Sequence, residues 1–146
     1  MNRRQLRESI FKLLFRIEFH SPEEMPPQEE LFNEDLKNPL EDGEPQTGDG
    51  SAHVSEENIR YIDGKYEKIM EKLSEIDEAI AGKATGWTIE RMGKIELTIL
   101  RLAVYEILYD EEIPTSVAIN EAVELAKKFG RDESAAFVNG VLSKFA

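Results

Sequence analysis

Apolar positions recur at helical spacing along most of this chain, and no stretch alternates in the manner of a strand. In the first run, Leu6, Ile10, Leu13, Leu14 and Ile17 fall on one stripe of a helix. A second run opens at Ser55, an N-cap residue type, with Glu56 and Glu57 placed where negative charge suits a helix N-terminus. Ile59, Ile62, Tyr66, Ile69, Met70, Leu73, Ile76 and Ile80 continue the stripe, with a break expected near Ser74 and stops at Gly82 and Gly86. Ile95 to Leu108 is apolar on nearly every face, the pattern of a helix buried at the centre of a small domain. After Pro114, Thr115 or Ser116 is expected to cap a helix that turns Ile119, Ala122, Val123, Ala126 and Phe129 inward and ends at Gly130. Asp132 or Ser134 then caps a last helix burying Phe137, Val138, Val141, Leu142 and Phe145. The pattern predicts an all-α protein.

The stretch from Ser21 to Ser51 breaks this pattern. It holds five of the six prolines, three glycines and few apolar residues. Glu23-Glu24-Met25-Pro26-Pro27 and Asp42 to Gly50 offer too little apolar surface to offset the entropy of ordering. An acidic flexible insertion over 21–53 is expected, with one short helix around Gln28–Leu36. Loops beyond roughly 12–15 residues are commonly either solvated connections or functional elements. Here the functional version would screen the basic first helix or compete for it.

A chain of 146 residues has room for one domain with a core, or for two small subdomains. It has no cysteine, which excludes disulfides and thiolate metal sites and fits a reducing compartment. No apolar run reaches the roughly 20 residues of a membrane span, and the N-terminus lacks the apolar core of a signal peptide. A soluble cytoplasmic protein is the expectation, with no membrane association. Net charge is −12, which taken whole argues against nucleic acid. Its distribution changes that picture: residues 1–16 carry five basic side chains against one acid, while residues 17–57 carry thirteen acids against one lysine.

Signatures of catalysis are missing. His20 and His53 flank the acidic segment without metal-ligand spacing, and there is no phosphate loop or nucleophile elbow. No catalytic residue, metal or cofactor is expected. In the first helix, Arg7 and Phe11 share a face, with Arg4 and Phe15 beside them. Arginines can pair with phosphate, and aromatic rings can stack on unpaired bases. The alternative is that the phenylalanines widen the core stripe while the arginines solvate the helix end. In the last helix Gly140 costs about 1 kcal/mol relative to alanine, for which a close helix–helix contact is the commonest return. Asn139 is expected in a structural role, and Asn120 and Glu121 in capping or ion pairing. Glu96 and Glu106 stand on the apolar helix and need partners if buried; Arg91 and Arg101 are the candidates.

Six ordered motifs carry a family resemblance. They are Trp87-x-x-x-Arg91, Ile99-Leu100-Arg101-Leu102-Ala103-x-Tyr105-Glu106, Ile113-Pro114 and Ala118-Ile119-Asn120-Glu121-Ala122, then Ala126-Lys127-x-Phe129-Gly130 and Phe137-Val138-Asn139-Gly140-Val141-Leu142. In this order they resemble the NusB family of bacterial transcription antitermination factors. Arg3-Arg4-x-x-Arg7 is similar to that family's arginine-rich start. Residues 54–86 match more loosely, and 21–53 hardly at all.

The resemblance implies a NusB-like single domain over 1–146, with six to seven helices in two packed three-helix subdomains, 1–86 and 87–146. It implies an RNA-binding antitermination factor that, with the ribosomal protein NusE, binds single-stranded boxA RNA in ribosomal RNA transcripts and joins an RNA polymerase complex. Carried onto this chain, Arg3, Arg4, Arg7, Glu96, Glu133 and Phe137 would contact RNA, Phe137 by stacking. Trp87, Glu90 and Met92 would meet the protein partner. Monomer and homodimer both remain open. The acidic insertion is longer than the family pattern, and Gln5 and Glu8 interrupt the basic run. Those departures keep a second reading in view, a helical protein–protein adaptor that does not bind RNA.

Overall fold

Seven α-helices account for most of the described chain, which comprises residues 1–37 and 54–146 of a computed structural model. They are α1 (Arg3–Phe15), α2 (Met25–Lys37), α3 (Glu56–Glu71), α4 (Leu73–Lys83), α5 (Lys94–Tyr109), α6 (Thr115–Phe129) and α7 (Ser134–Leu142). Short 3-10 turns follow α1, precede α2 and α5, and follow α7. Among the described residues there is no strand, and no helix is long and apolar enough to cross a membrane. The features expected over 42–50, and His53, lie outside the described residues.

The chain divides into two compact units, Met1–Tyr66 and Glu67–Ala146, so the division falls inside α3. The expected boundary at 86/87 lies further on, after α4. α4 packs on α5 and α7, which places it with the second unit.

In the first unit, α1 begins with a capping box that the basic run obscures in sequence. Asn2 Oδ1 accepts from Gln5 N at 2.8 Å, and Asn2 N donates to Gln5 Oε1 at 2.9 Å. Gln5 is therefore the reciprocal cap of the helix rather than a gap in a basic patch. Ile10, Leu13 and Leu14 are fully buried as the apolar stripe requires, and Phe11 joins them. Phe15 is half-buried, 6.1 Å from Phe11 and 5.1 Å from Phe19 between ring centroids. The core reading of Phe11 therefore prevails.

The expectation of a flexible segment from 21 onward is corrected over residues 21–37, which are almost wholly helical. Pro22 stands in the first turn of the 3-10 helix, where a missing N–H costs nothing. Ser21 N donates to Glu24 Oε1 at 2.7 Å, and this bond with the Ser21 hydroxyl holds the Glu24 carboxyl below its ordinary range. Met25 and Phe32 then anchor α2 by burial, so two apolar residues suffice where composition suggested too few. Val54 N donates to Leu36 O at 3.2 Å, tying the approach to α3 to the end of α2. Ser55 caps α3 as expected, accepting from Asn58 N at 3.2 Å.

In the second unit, α3 ends at Glu71 and α4 starts at Leu73, close to the break expected at Ser74. Gly82 does not stop α4, which runs to Lys83. The turn is made by Gly86, whose φ of +83° is strained for any other residue type. α5 is the centre of the unit: every residue from Leu97 to Glu106 is buried. It packs against α4, α6 and α7. Arg101 on α5 donates from Nε to Asp77 Oδ1 at 2.8 Å and from Nη2 to Asp77 Oδ2 at 2.9 Å, a bidentate clamp onto α4. The sequence offers no sign of this helix-to-helix pairing, because Asp77 is distant from Arg101 along the chain. α6 has no side-chain cap from Thr115 or Ser116; Pro114 takes the N-cap position. Its buried face is Ala118, Ala122, Leu125 and Ala126, a stripe rotated slightly from the expected one.

Gly140 and Asn139 depart furthest from expectation. Both are exposed, and a Cβ added at Gly140 would meet nothing within 4 Å. No close helix contact explains the glycine, and Asn139 satisfies no buried neighbour.

Candidate functional site

The candidate residues fall in two places, one in each unit. In the first, Arg3 and Arg4 are exposed on the opening turn of α1, where their charge opposes the positive end of the helix dipole. Arg7, one turn on, is only 8% exposed and lies on the same side as buried Ile10, Phe11 and Leu14. Two further basic residues near α1 make contacts within the unit. Lys12 pairs with Glu8 at 3.4 Å. Arg16 donates from Nη1 to Gln28 O at 3.0 Å and to Gln28 Oε1 at 3.1 Å, while its guanidinium lies 5.1 Å from the centroid of Phe32. The acidic segment thus takes up one cation of the basic helix through α2. Arg3 and Arg4 keep exposed side chains on the first turn, and Lys12 stays exposed further along the helix.

The second place is a pocket of about 370 Å³ within the second unit, a size suited to a small ligand or a nucleobase. Three segments build it. Gly86 turns the chain after α4 and presents Trp87, and the 3-10 turn Ile89–Arg91 follows with Arg91 and Met92. The start of α5 contributes Gly93 and Glu96. The α6–α7 connection and first turn of α7 contribute Arg131, Glu133, Ser134 and Phe137.

Trp87 and Phe137 form one aromatic wall, edge to face at 5.5 Å and 70°. Trp87 remains 49% exposed. Met92 is buried, at 6% exposure, and lines the same pocket. Two arginines and two glutamates share the rest of the lining, so the formal charge of the pocket is balanced. This is a poor site for accumulating phosphates. It is well suited to a flat, aromatic, hydrogen-bonding group: ring faces for stacking, carboxylates as acceptors and guanidiniums as donors.

Glu96 is the most constrained of these groups. Its Oε1 accepts from Ser134 Oγ at 2.7 Å, a buried hydroxyl where the sequence offers an arginine, Arg91 or Arg101, as the partner. Glu106, by contrast, is buried in the middle of α5, at 1% exposure, and takes no part in the pocket.

The structure therefore brings together Glu96, Glu133 and Phe137, expected on RNA grounds, with Trp87 and Met92, expected on protein-partner grounds. Glu90 is exposed on the adjoining turn and does not line the pocket. Arg3, Arg4 and Arg7 belong to the other unit. Sequence reasoning missed Arg131 and Gly93, saw Ser134 only as a possible helix cap, and saw Arg91 only in a family motif and as an ion-pair candidate. The available signal was the pair of cap glycines: Gly93 and Gly130 each stand beside a residue of the pocket.

Comparison with known proteins gives a consistent result. The model of the NusB family matches residues 4–146. Transcription antitermination protein NusB of Agathobacter rectalis is 51% identical over 146 residues, covering all of both chains. The solved structure of NusB from T. maritima is 32% identical with a TM-score of 0.80, covering 100% of this chain and 91% of that one. A structure of the antitermination factors NusB and NusE in complex with dsRNA shares the fold at a TM-score of 0.72 and 23% identity, over 98% of this chain and 94% of that one.

Proposed function

Because the chain belongs to the NusB family, we propose that it is a transcription antitermination factor that binds single-stranded boxA RNA together with NusE. The observation that supports this reading is the pocket of Trp87, Phe137, Glu96 and Glu133, a charge-balanced aromatic site whose chemistry suits a base better than a phosphate. One nucleotide would stack on Phe137 while Glu96 and Glu133 accept its N–H groups. Arg3 and Arg4 would take backbone phosphates, with Arg7 supporting the helix beneath them. Trp87 and Glu90, exposed at the rim, would meet NusE, with Met92 lining the same pocket as Trp87. The RNA-bearing complex of the same fold contains double-stranded RNA; the preference for single strands rests on the stacking wall, since bases within a duplex have no free face.

Two exposed arginines and one base pocket make a weak site by themselves. Useful affinity therefore depends on NusE adding contacts to the same RNA, after which both proteins hold it as one bivalent surface. In the cytoplasm that assembly would sit on RNA polymerase and accompany the transcript.

Fluorescence anisotropy of labelled boxA RNA, with and without NusE over a salt series, tests the proposal. Salt-sensitive, sequence-selective binding that tightens with NusE is expected. Binding to NusE with no gain in RNA affinity would leave only the adaptor reading, which the capture of Arg16 by α2 and the net charge of −12 favour.

A further inference from the structure

We propose that Ser134 is a positioning residue for the Glu96 carboxylate, holding it as an acceptor for an amino or imino N–H edge of a nucleobase; this rests on the RNA reading of the pocket. Ser134 opens α7 and is fully buried, yet it lines the pocket. Its hydroxyl stands between two groups of fixed character. Arg131 N donates to Ser134 Oγ at 2.9 Å, and Ser134 Oγ donates to Glu96 Oε1 at 2.7 Å. A hydroxyl has one proton. With a backbone N–H pointing at its lone pair, that proton goes to Glu96, and the bond ties the α6–α7 connection to the start of α5.

The space around this pair is cleared on both sides by glycine. A Cβ at Gly130 would lie 2.6 Å from both Cβ and Oγ of Ser134 and 2.8 Å from Ala126 O. A Cβ at Gly93 would fall on Glu96 Oε2. Neither glycine has a positive φ, so neither is needed for backbone freedom. Their common property is the room they leave for the serine and the carboxylate. Glu96 stands at the third position of α5 and reaches back toward its own N-cap, with Oε2 close over Gly93 and Oε1 on the Ser134 hydroxyl. Held between the serine and the glycine, the carboxylate is fixed in the pocket wall, where its lone pairs not used by Ser134 would serve as acceptors for a ligand. A base edge carrying N–H donors fits that arrangement, and one presenting only carbonyl oxygens meets repulsion.

The test is a double-mutant cycle on affinity for the labelled single-stranded RNA in the presence of NusE, with helicity and thermal unfolding recorded for each variant. Ser134→Ala is expected to weaken binding by about three- to tenfold, the range of one net hydrogen bond. Glu96→Gln should weaken it at least as much, and Ser134→Ala added to Glu96→Gln should cost nothing further. Gly93→Ala, an exposed change that leaves α7 untouched, should weaken binding in the same direction and carries the test if Ser134→Ala loses helicity. Additive losses in the double variant would overturn the proposal, as would wild-type binding by Gly93→Ala and Ser134→Ala beside a weakened Glu96→Gln. Wild-type binding by both Phe137→Ala and Glu96→Gln is a different failure: it removes RNA from the pocket altogether, and the positioning role with it.

Discussion

At the start of α1 the exposed groups are cations on a solvated helix end. In the pocket of the second unit, two arginines share the walls with two glutamates and two aromatic rings. The first surface attracts any polyanion, through charge that salt screens within about 10 Å at 0.1 M. The second is neutral in sum and can discriminate only by shape, stacking and the direction of hydrogen bonds. Set side by side, the two surfaces explain how a chain of net charge −12 can be an RNA-binding protein. Under the proposed reading, a few placed cations would hold the backbone and selection would fall to a site that does not depend on net charge.

The division of labour is most severely broken through the scaffold of the pocket. Asp77→Ala leaves the guanidinium of Arg101, 8% exposed, without its bidentate partner between α4 and α5. A loss of about 2–3 kcal/mol in chemical unfolding is expected, somewhat below a fully buried pair because the Asp77 side chain is 25% exposed. Asp77→Asn, which keeps an acceptor, should lose less; equal losses would mean that charge, and not the missing bond, sets the cost.

Next in size is Phe137→Ala. Stacking of one base is worth about 1–3 kcal/mol, so RNA affinity with NusE should fall by about five- to a hundredfold. Its salt dependence should stay as it was. A changed slope would show that the aromatic wall and the phosphate contacts are one site.

Arg3→Ala with Arg4→Ala should give the reverse signature. The slope of log K against log salt should fall by about 0.7 for each phosphate no longer neutralised, with base selectivity intact. An unchanged slope would remove α1 from the RNA surface. Arg7→Ala is a poorer probe, since its burial makes a stability change inseparable from a binding change.

The mildest substitution probes the outer face of α7. Gly140→Ala adds a methyl group to open space there and should raise thermal stability by up to about 1 kcal/mol. If RNA or NusE affinity falls while stability rises, the glycine is kept for a partner that approaches the helix closely. No change in affinity would confine it to the free protein's helix propensity.

Much of this architecture is legible in the order of the residues. Apolar periodicity places α1, α3, α5, α6 and α7, because burying a stripe is a local demand that each helix's own sequence must meet. The nearly all-apolar run of α5 announces the buried centre for the same reason. Ser55 declares itself as a cap, and Phe137, Glu96 and Glu133 enter through a family resemblance carried on ordered motifs.

What periodicity cannot supply is pairing between distant residues. Arg101 meets Asp77, Glu96 meets Ser134 and Arg16 meets Gln28, each across a turn or a whole helix. A charged side chain reveals that it needs a partner, but several lie within reach until the backbone is folded. Composition misjudges residues 21–37 for a related reason: two buried anchors, Met25 and Phe32, hold a helix whose average is polar. That residues expected for RNA and residues expected for a protein line one pocket is likewise a matter of packing. The order of residues dictates which faces are apolar and which chemical groups are available. Folding alone selects which of those groups share a cavity, because proximity follows from packing and not from position along the chain.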